Sequence, residues 1–168
     1  MATSAPMLKK LSALPMCQGL SAAQTAELVE IAEETHVKKG ATLFAEESAG
    51  DALYVVLEGQ VEVSKRGASL AKLGEGSVLG EMSLLGGETR SATVTALSEC
   101  KLLRISTERF QKRLAADNLA ALKVTHNLAQ VMSRRLAVIN DKLVESLGKT
   151  KKKEELADFG RILNNWSF

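Results

Sequence analysis

Between His36 and Ser106 the chain is divided into short runs rich in Val, Leu and Thr by closely spaced glycines, and no other feature restricts its fold as strongly. The runs are Thr42–Phe44, Leu53–Leu57, Val61–Ser64, Ser91–Ala96 and Leu102–Ile105. Gly40, Gly50, Gly59, Gly67, Gly74 and Gly76 fall between or beside them. Short apolar runs bounded by turn residues read as strands, and regular spacing indicates an all-β roll or barrel rather than parallel βαβ units. The Glu58-Gly59 pair, between Leu57 and Val61, reads as a tight hairpin. No internal repeat of roughly 20–50 residues is present.

Helical periodicity flanks this region on both sides. Ser21 followed by Gln24 has the spacing of a capping box, and Leu28, Ile31 and Ala32 give the helix behind it one apolar face. After Ile105 the spacing predicts a short helix over Thr107–Leu114 and a long one from Leu119 to about Leu147, with no Pro or Gly before Gly148. Within the long helix, Ala129, Met132, Leu136, Ile139, Leu143 and Ser146 alternate steps of three and four, a seam suited to pairing with another helix. The seam could pack on its own β-roll, but its length exceeds what that needs, so a homodimer through this helix is expected. The domain boundaries follow: a flexible lead-in over residues 1–16, one domain over 17–147, and a tail over 148–168. The tail opens with the basic run Lys149–Lys153 and continues with Leu156, Phe159, Ile162, Leu163 and Trp166 at helical spacing, which suits a lid or a docking helix.

Composition removes several functional classes. The chain has 168 residues, 45% hydrophobic and 25% charged, as in a soluble domain with room for one core. Its apolar runs are too short to cross a bilayer, and the N-terminus lacks the apolar stretch of a secretory signal, so a cytoplasmic location without membrane contact is expected. A net charge of +2 does not call for a polyanionic partner. Cys17, Cys100, His36 and His126 stand apart from one another, so neither a metal site nor a cysteine nucleophile is expected. With no general-base pair either, the chain is not expected to be an enzyme.

The chemistry concentrates in Val78–Ala96, VLGEMSLLGGETRSATVTA. Gly80 and Glu81 open a short helical turn, a Gly-Gly loop follows, and Arg90-Ser91-Ala92 leads into a strand. Backbone N–H groups at a helix start attract an anion, and glycine lets the backbone approach it. Arg90 can hold a phosphate through two parallel N–H bonds, and Ser91 can add a hydroxyl. Glu81 would repel phosphate but accepts well from a ribose hydroxyl. An acid for the sugar and an arginine for the phosphate point to a nucleotide cyclised through its phosphate. The other reading of the same pair is a surface salt bridge beside a glycine turn.

This stretch resembles the phosphate-binding cassette of the cyclic-nucleotide-binding domain family, F-G-E-[LI]-[AS]-L-L, a loop, then P-R-[ST]-A-[TS]-V; here the residues are Leu79-Gly80-Glu81-Met82-Ser83-Leu84-Leu85 and Arg90-Ser91-Ala92-Thr93-Val94. Two further blocks occur in the right order, Leu20-Ser21 and Gly50 to Val63, so the likeness runs from about residue 14 to 146. Leu79 stands where the family usually has phenylalanine, Thr89 where it often has proline, and Glu47 where a turn glycine is common. The resemblance implies an α+β, mainly β fold: a double-stranded β-helix or jelly-roll β-roll flanked by an N-terminal helix and C-terminal helices. It also implies binding of cAMP or cGMP without hydrolysis, and no other cofactor. Carried over by position, Gly80 and Glu81 meet the ribose, Arg90, Ser91 and the Ala92 backbone meet the cyclic phosphate, and Val63, Leu79 and Met82 line the sugar and base. Aligning Arg134-Arg135-Leu136 with a similar run in the family's transcription regulators puts Ile139 and Asn140 near the base and Arg135 near the ribose or phosphate.

Those regulators carry a helix-turn-helix module, and the 21 residues after Leu147 are too few for one, so direct DNA binding is not expected and the output would pass to a separate protein effector. The alternative is a structural or protein-interaction dimer of the same fold that has lost cyclic mononucleotide binding or takes a cyclic dinucleotide. Ser91 is compatible with both cAMP and cGMP; threonine there is commoner among relatives preferring cGMP, which favours cAMP.

Overall fold

The computed structural model describes residues 5–149 and Arg161. The chain forms two compact units, Met1–Leu128 and Ala129–Phe168. In the first, α1 (Ala5–Ser12), a 3₁₀ turn (Pro15–Cys17) and α2 (Ala22–Glu30) precede eight strands. These are β1 (Ala32–Val37), β2 (Thr42–Phe44), β3 (Ala52–Glu58), β4 (Val61–Lys65), β5 (Ala68–Leu73), β6 (Val78–Leu79), β7 (Thr93–Ala96) and β8 (Cys100–Ser106). A short α3 (Glu81–Leu84) lies between β6 and β7, and α4 (Thr107–Ala115) and α5 (Leu119–Lys149) follow β8.

The strands form two antiparallel four-stranded sheets, ordered β1-β8-β3-β6 and β2-β7-β4-β5. This is the expected β-roll flanked by helices. The hairpin expected at Glu58-Gly59 is not formed. β3 and β4 belong to different sheets, and the link between them is tied to the β7–β8 turn, with Gln60 accepting from Leu97 N–H and donating from its own N–H to Ser98 Oγ. A two-residue hairpin does join β4 to β5 through Arg66-Gly67, both at positive φ (49° and 78°), the sign pattern of a type I′ turn.

The first sheet is apolar on both faces. Leu53, Val55 and Leu57 of β3, with Leu103 and Ile105 of β8, face the helices and pack with Leu11, Met16, Leu28, Phe110, Val124 and Leu128. The intervening Ala52, Tyr54 and Val56, with Leu102 and Cys100, face the second sheet and pack with Val61, Leu79, Val94 and Ala96. The period-2 alternation of strand side chains thus feeds two separate cores from the same strands. Leu11, Leu14 and Met16 are buried, so part of the segment expected as a flexible lead-in is built into the helix-side core. Both cysteines are buried, and burial pushes the Cys17 thiol up to about 12. An unreactive, core-filling thiol is the result.

Local capping sets the helix ends. Ser21 Oγ accepts from Gln24 N–H and Gln24 Oε1 accepts from Ser21 N–H, the expected capping box. Asn118 Oδ1 accepts from Ala121 N–H at the start of α5, while Asn118 Nδ2 donates to Glu27 of α2. In the second unit, α5 carries exposed Leu136, Val138, Ile139 and Val144. Apart from Arg161, the expected amphipathic tail, Leu156 to Trp166, and the basic run beyond Lys149 lie outside the described residues. No helix among the described residues is long and apolar enough to cross a membrane.

Candidate functional site: a buried arginine beneath the glycine-rich loop

The loop from β6 to β7 is pinned against the chain preceding β3 by a short ladder. Arg90 N–H donates to Ser48 O, Glu47 N–H to Arg90 O, and Gly50 N–H to Glu88 O, at 2.8–2.9 Å. Gly50 permits this close approach, because a Cβ there would collide with the Ser83 hydroxyl. Gly80 sits at the N-terminus of α3 with φ of 73°, and a Cβ on it would strike Nη1 of Arg90. Gly80 therefore packs closely against the Arg90 guanidinium, and Glu81, the acid expected to work with Arg90, is half-buried as the first residue of α3.

Arg90 is 3% exposed. Its Nη1 donates to Ala52 O (2.8 Å) and Ser83 Oγ (3.0 Å), and its Nη2 donates to Asp51 Oδ1 (3.1 Å). The guanidinium carbon lies 4.1 Å from the Phe44 ring centroid and 5.8 Å from that of Tyr54, and the two rings are 5.9 Å apart. The buried Nε has no hydrogen-bond partner among the described residues. Both Nη1 protons are committed, so the edge of the fork left for a further acceptor is Nε–H with the second Nη2–H. That edge offers two parallel donors to one anion.

Asp51 is shared. Its Oδ2 accepts from Arg104 Nη2 at 2.7 Å. Burial alone would raise the Asp51 carboxyl, but the Arg104 hydrogen bond and charge, a bond to its own backbone and the Arg90 charge together hold it below the usual carboxylate range. Arg104 Nη1 lies 3.9 Å from Glu33, whose other oxygen is 3.4 Å from Arg109.

The remaining expected residues are distributed unevenly. Leu79 is buried in the inter-sheet core and Val63 packs against it. Met82 and Ser91 are exposed, and Ala92 is half-buried just before β7. Arg135 and Asn140 belong to the second unit, exposed and half-buried respectively. Sequence reasoning missed Phe44, Asp51, Tyr54, Ser83 and Arg104 around the guanidinium. One signal for Arg104 was available: alternation along β8 places it on the face of Leu102 and Cys100, where a charge needs a partner. A separate cleft of about 410 Å³, lined by Lys10, Leu14, Pro15, Val55, Leu57 and Glu75 among others, touches none of the expected site residues. Among the described residues no group of three His, Cys, Asp or Glu side chains could hold a metal ion.

A two-sheet roll whose glycine-flanked loop buries one arginine against an aromatic pair defines a small ligand-binding domain. The chain belongs to the cyclic nucleotide-binding domain family, whose profile matches residues 34–117. It is 32% identical over 132 residues to a cGMP-dependent protein kinase of Caenorhabditis briggsae, covering 73% of this chain and 18% of the kinase. It is 34% identical over 106 residues to a cAMP-dependent protein kinase regulatory subunit of Yarrowia lipolytica, covering 62% of this chain and 28% of that protein. A cyclic nucleotide-binding domain from Methylobacillus flagellatus superposes with a TM-score of 0.71 at 25% identity, covering 83% of this chain and 81% of that one. The catabolite activator protein of Thermus thermophilus gives a TM-score of 0.67 at 30% identity, covering 77% and 61%. The chain spans less than a third of the length of the two kinase relatives. The domain it shares with them is regulatory rather than catalytic.

Proposed function

We propose that this chain is a cyclic-nucleotide sensor that binds cAMP, or cGMP, unaltered and passes the signal to a separate protein. The observation that carries this reading is the Nε of Arg90, buried without a partner on a guanidinium that is 3% exposed. A buried cationic donor left unpaired is costly unless an anionic acceptor completes it. A cyclic phosphodiester offers one negative charge and two oxygens in the geometry that the Nε–Nη2 edge matches.

Around that phosphate the Ser91 hydroxyl and the Ala92 backbone add hydrogen bonds. Gly80 and Glu81 meet the ribose, the carboxylate accepting from its 2′-hydroxyl. Val63, Leu79 and Met82 face the sugar and base. Met82 is 43% exposed in α3, which suits a side chain closing over a bound base. Binding shifts the population toward the closed cassette, because the ligand contacts more of the site in that state. Two copies of the chain associate through the part of α5 that lies in the second unit, where Leu136 and Ile139 are 48% and 59% exposed, and the domain works in the cytoplasm.

Calorimetric titration of the full chain with cAMP and cGMP tests the reading. One of them binds, and Arg90→Ala weakens it at least ~10-fold, a loss on the order of 1.5–3 kcal/mol for charge-assisted hydrogen bonds. Full affinity in that variant would overturn the role given to the guanidinium.

A further inference from the structure

The phosphate reading of Arg90 brings an electrostatic difficulty with it. Nη2 already donates one proton to Asp51, and the buried edge left for a phosphate, Nε with Nη2, uses the same nitrogen. An anion seated there therefore shares Nη2 with a carboxylate, and the two negative charges lie within a few ångström of each other. Like charges that close, partly withdrawn from water, oppose binding.

We propose that Arg104 is a positioning residue for anion binding: it holds the far oxygen of Asp51 and offsets the carboxylate's charge, so that Arg90 can take a cyclic phosphodiester while still bonded to Asp51. This rests on the phosphate reading above and extends it to a residue outside the cassette. The geometry favours the arrangement in two ways. The Arg104–Asp51 contact, at 2.7 Å, is shorter than the Arg90–Asp51 contact at 3.1 Å, so the carboxylate is held more tightly on its far side. Arg104 is the cross-strand neighbour of Tyr54, which fixes its backbone beside the aromatic pair under the guanidinium. Glu33, the neighbour of Arg104 on β1, lies across β8 from Tyr54, 3.9 Å from Arg104 Nη1, and its other oxygen is 3.4 Å from Arg109.

The sign of each substitution follows. Arg104→Gln leaves Asp51 uncompensated next to the phosphate and weakens cAMP binding by about threefold to fivefold, the scale of a partly exposed ion pair. Arg104→Lys keeps the charge and retains affinity to within about twofold. In an Asp51→Asn background no carboxylate needs offsetting, so Arg104→Gln there changes affinity by less than about 1.5-fold.

Calorimetric titration with cAMP and with cGMP of the full chain and of the R90A, R104Q, R104K, D51N and D51N/R104Q variants makes the test, with thermal melts showing that each is folded. Loss in R104Q, rescue in R104K and no further loss in the double variant support the proposal. Unchanged affinity in R104Q, or an equal loss with and without Asp51, overturns it. Wild-type binding that R90A abolishes, combined with an unaffected R104Q, removes the Arg104 inference alone. Wild-type protein that takes no cyclic mononucleotide removes both.

Discussion

At Glu47 the backbone lies in the left-handed region, with φ of 66°, where a side chain costs about 1–2 kcal/mol relative to its ordinary conformations. The residue is held there because its N–H donates to Arg90 O, one rung of the ladder that fixes the site. The family resemblance already marked position 47 as one where a turn glycine is common, and the structure supplies the reason. Glu47→Gly relieves the strain and regains part of it as unfolded-chain freedom, for a net gain of about 0.5 kcal/mol. Urea unfolding checks this, and a loss of stability would show that the glutamate side chain itself contributes. Gly80 illustrates the opposite case. Its positive φ and its contact with Arg90 leave no room for any other residue, which is why Gly-Glu could be read as a site marker before its partner was visible.

For the secondary-structure elements, the apolar strands were legible and the polar ones were not. β3, β7 and β8 follow from their Val- and Leu-rich runs. β1 and β5 are edge strands whose mixed, largely exposed side chains, AEETHV and ASLAKL, leave little alternation to read. The link between β3 and β4 was misread because a chain crossing from one layer to another through Gly59 looks, residue by residue, like a chain turning back on itself. The cassette was legible because its residues are consecutive. Asp51, Tyr54 and Arg104 were not, since β3–β8 pairing alone brings them together. The exposed stripe on α5 gives a prediction of its own. Leu136→Asp with Ile139→Asp dissociates the proposed dimer, seen as a halved mass in analytical ultracentrifugation, while the melting of the β-roll is retained. A wild-type chain sedimenting as a monomer would sink the pairing.

At the scale of the whole molecule, the first sheet has a helix-side core on one face and an inter-sheet core on the other. β3 is buried at every position from Ala52 to Leu57. Replacing Val55 or Val56 by Ala removes a similar apolar volume, and each costs about 2 kcal/mol in unfolding free energy. The two substitutions nonetheless strike opposite sides, for Val55 packs with the helices and Val56 with Tyr54 and Leu79. Titration with cAMP separates them: V56A shifts affinity and V55A leaves it within about twofold, as expected for a change confined to the far side. Equal shifts in both would mean that the strand passes strain straight through. As built, β3 is a party wall between two rooms, one housing the neighbours of the proposed ligand and the other the chain's helical framework. Neighbouring bricks in it can be loosened one at a time, and each disturbs a different tenant.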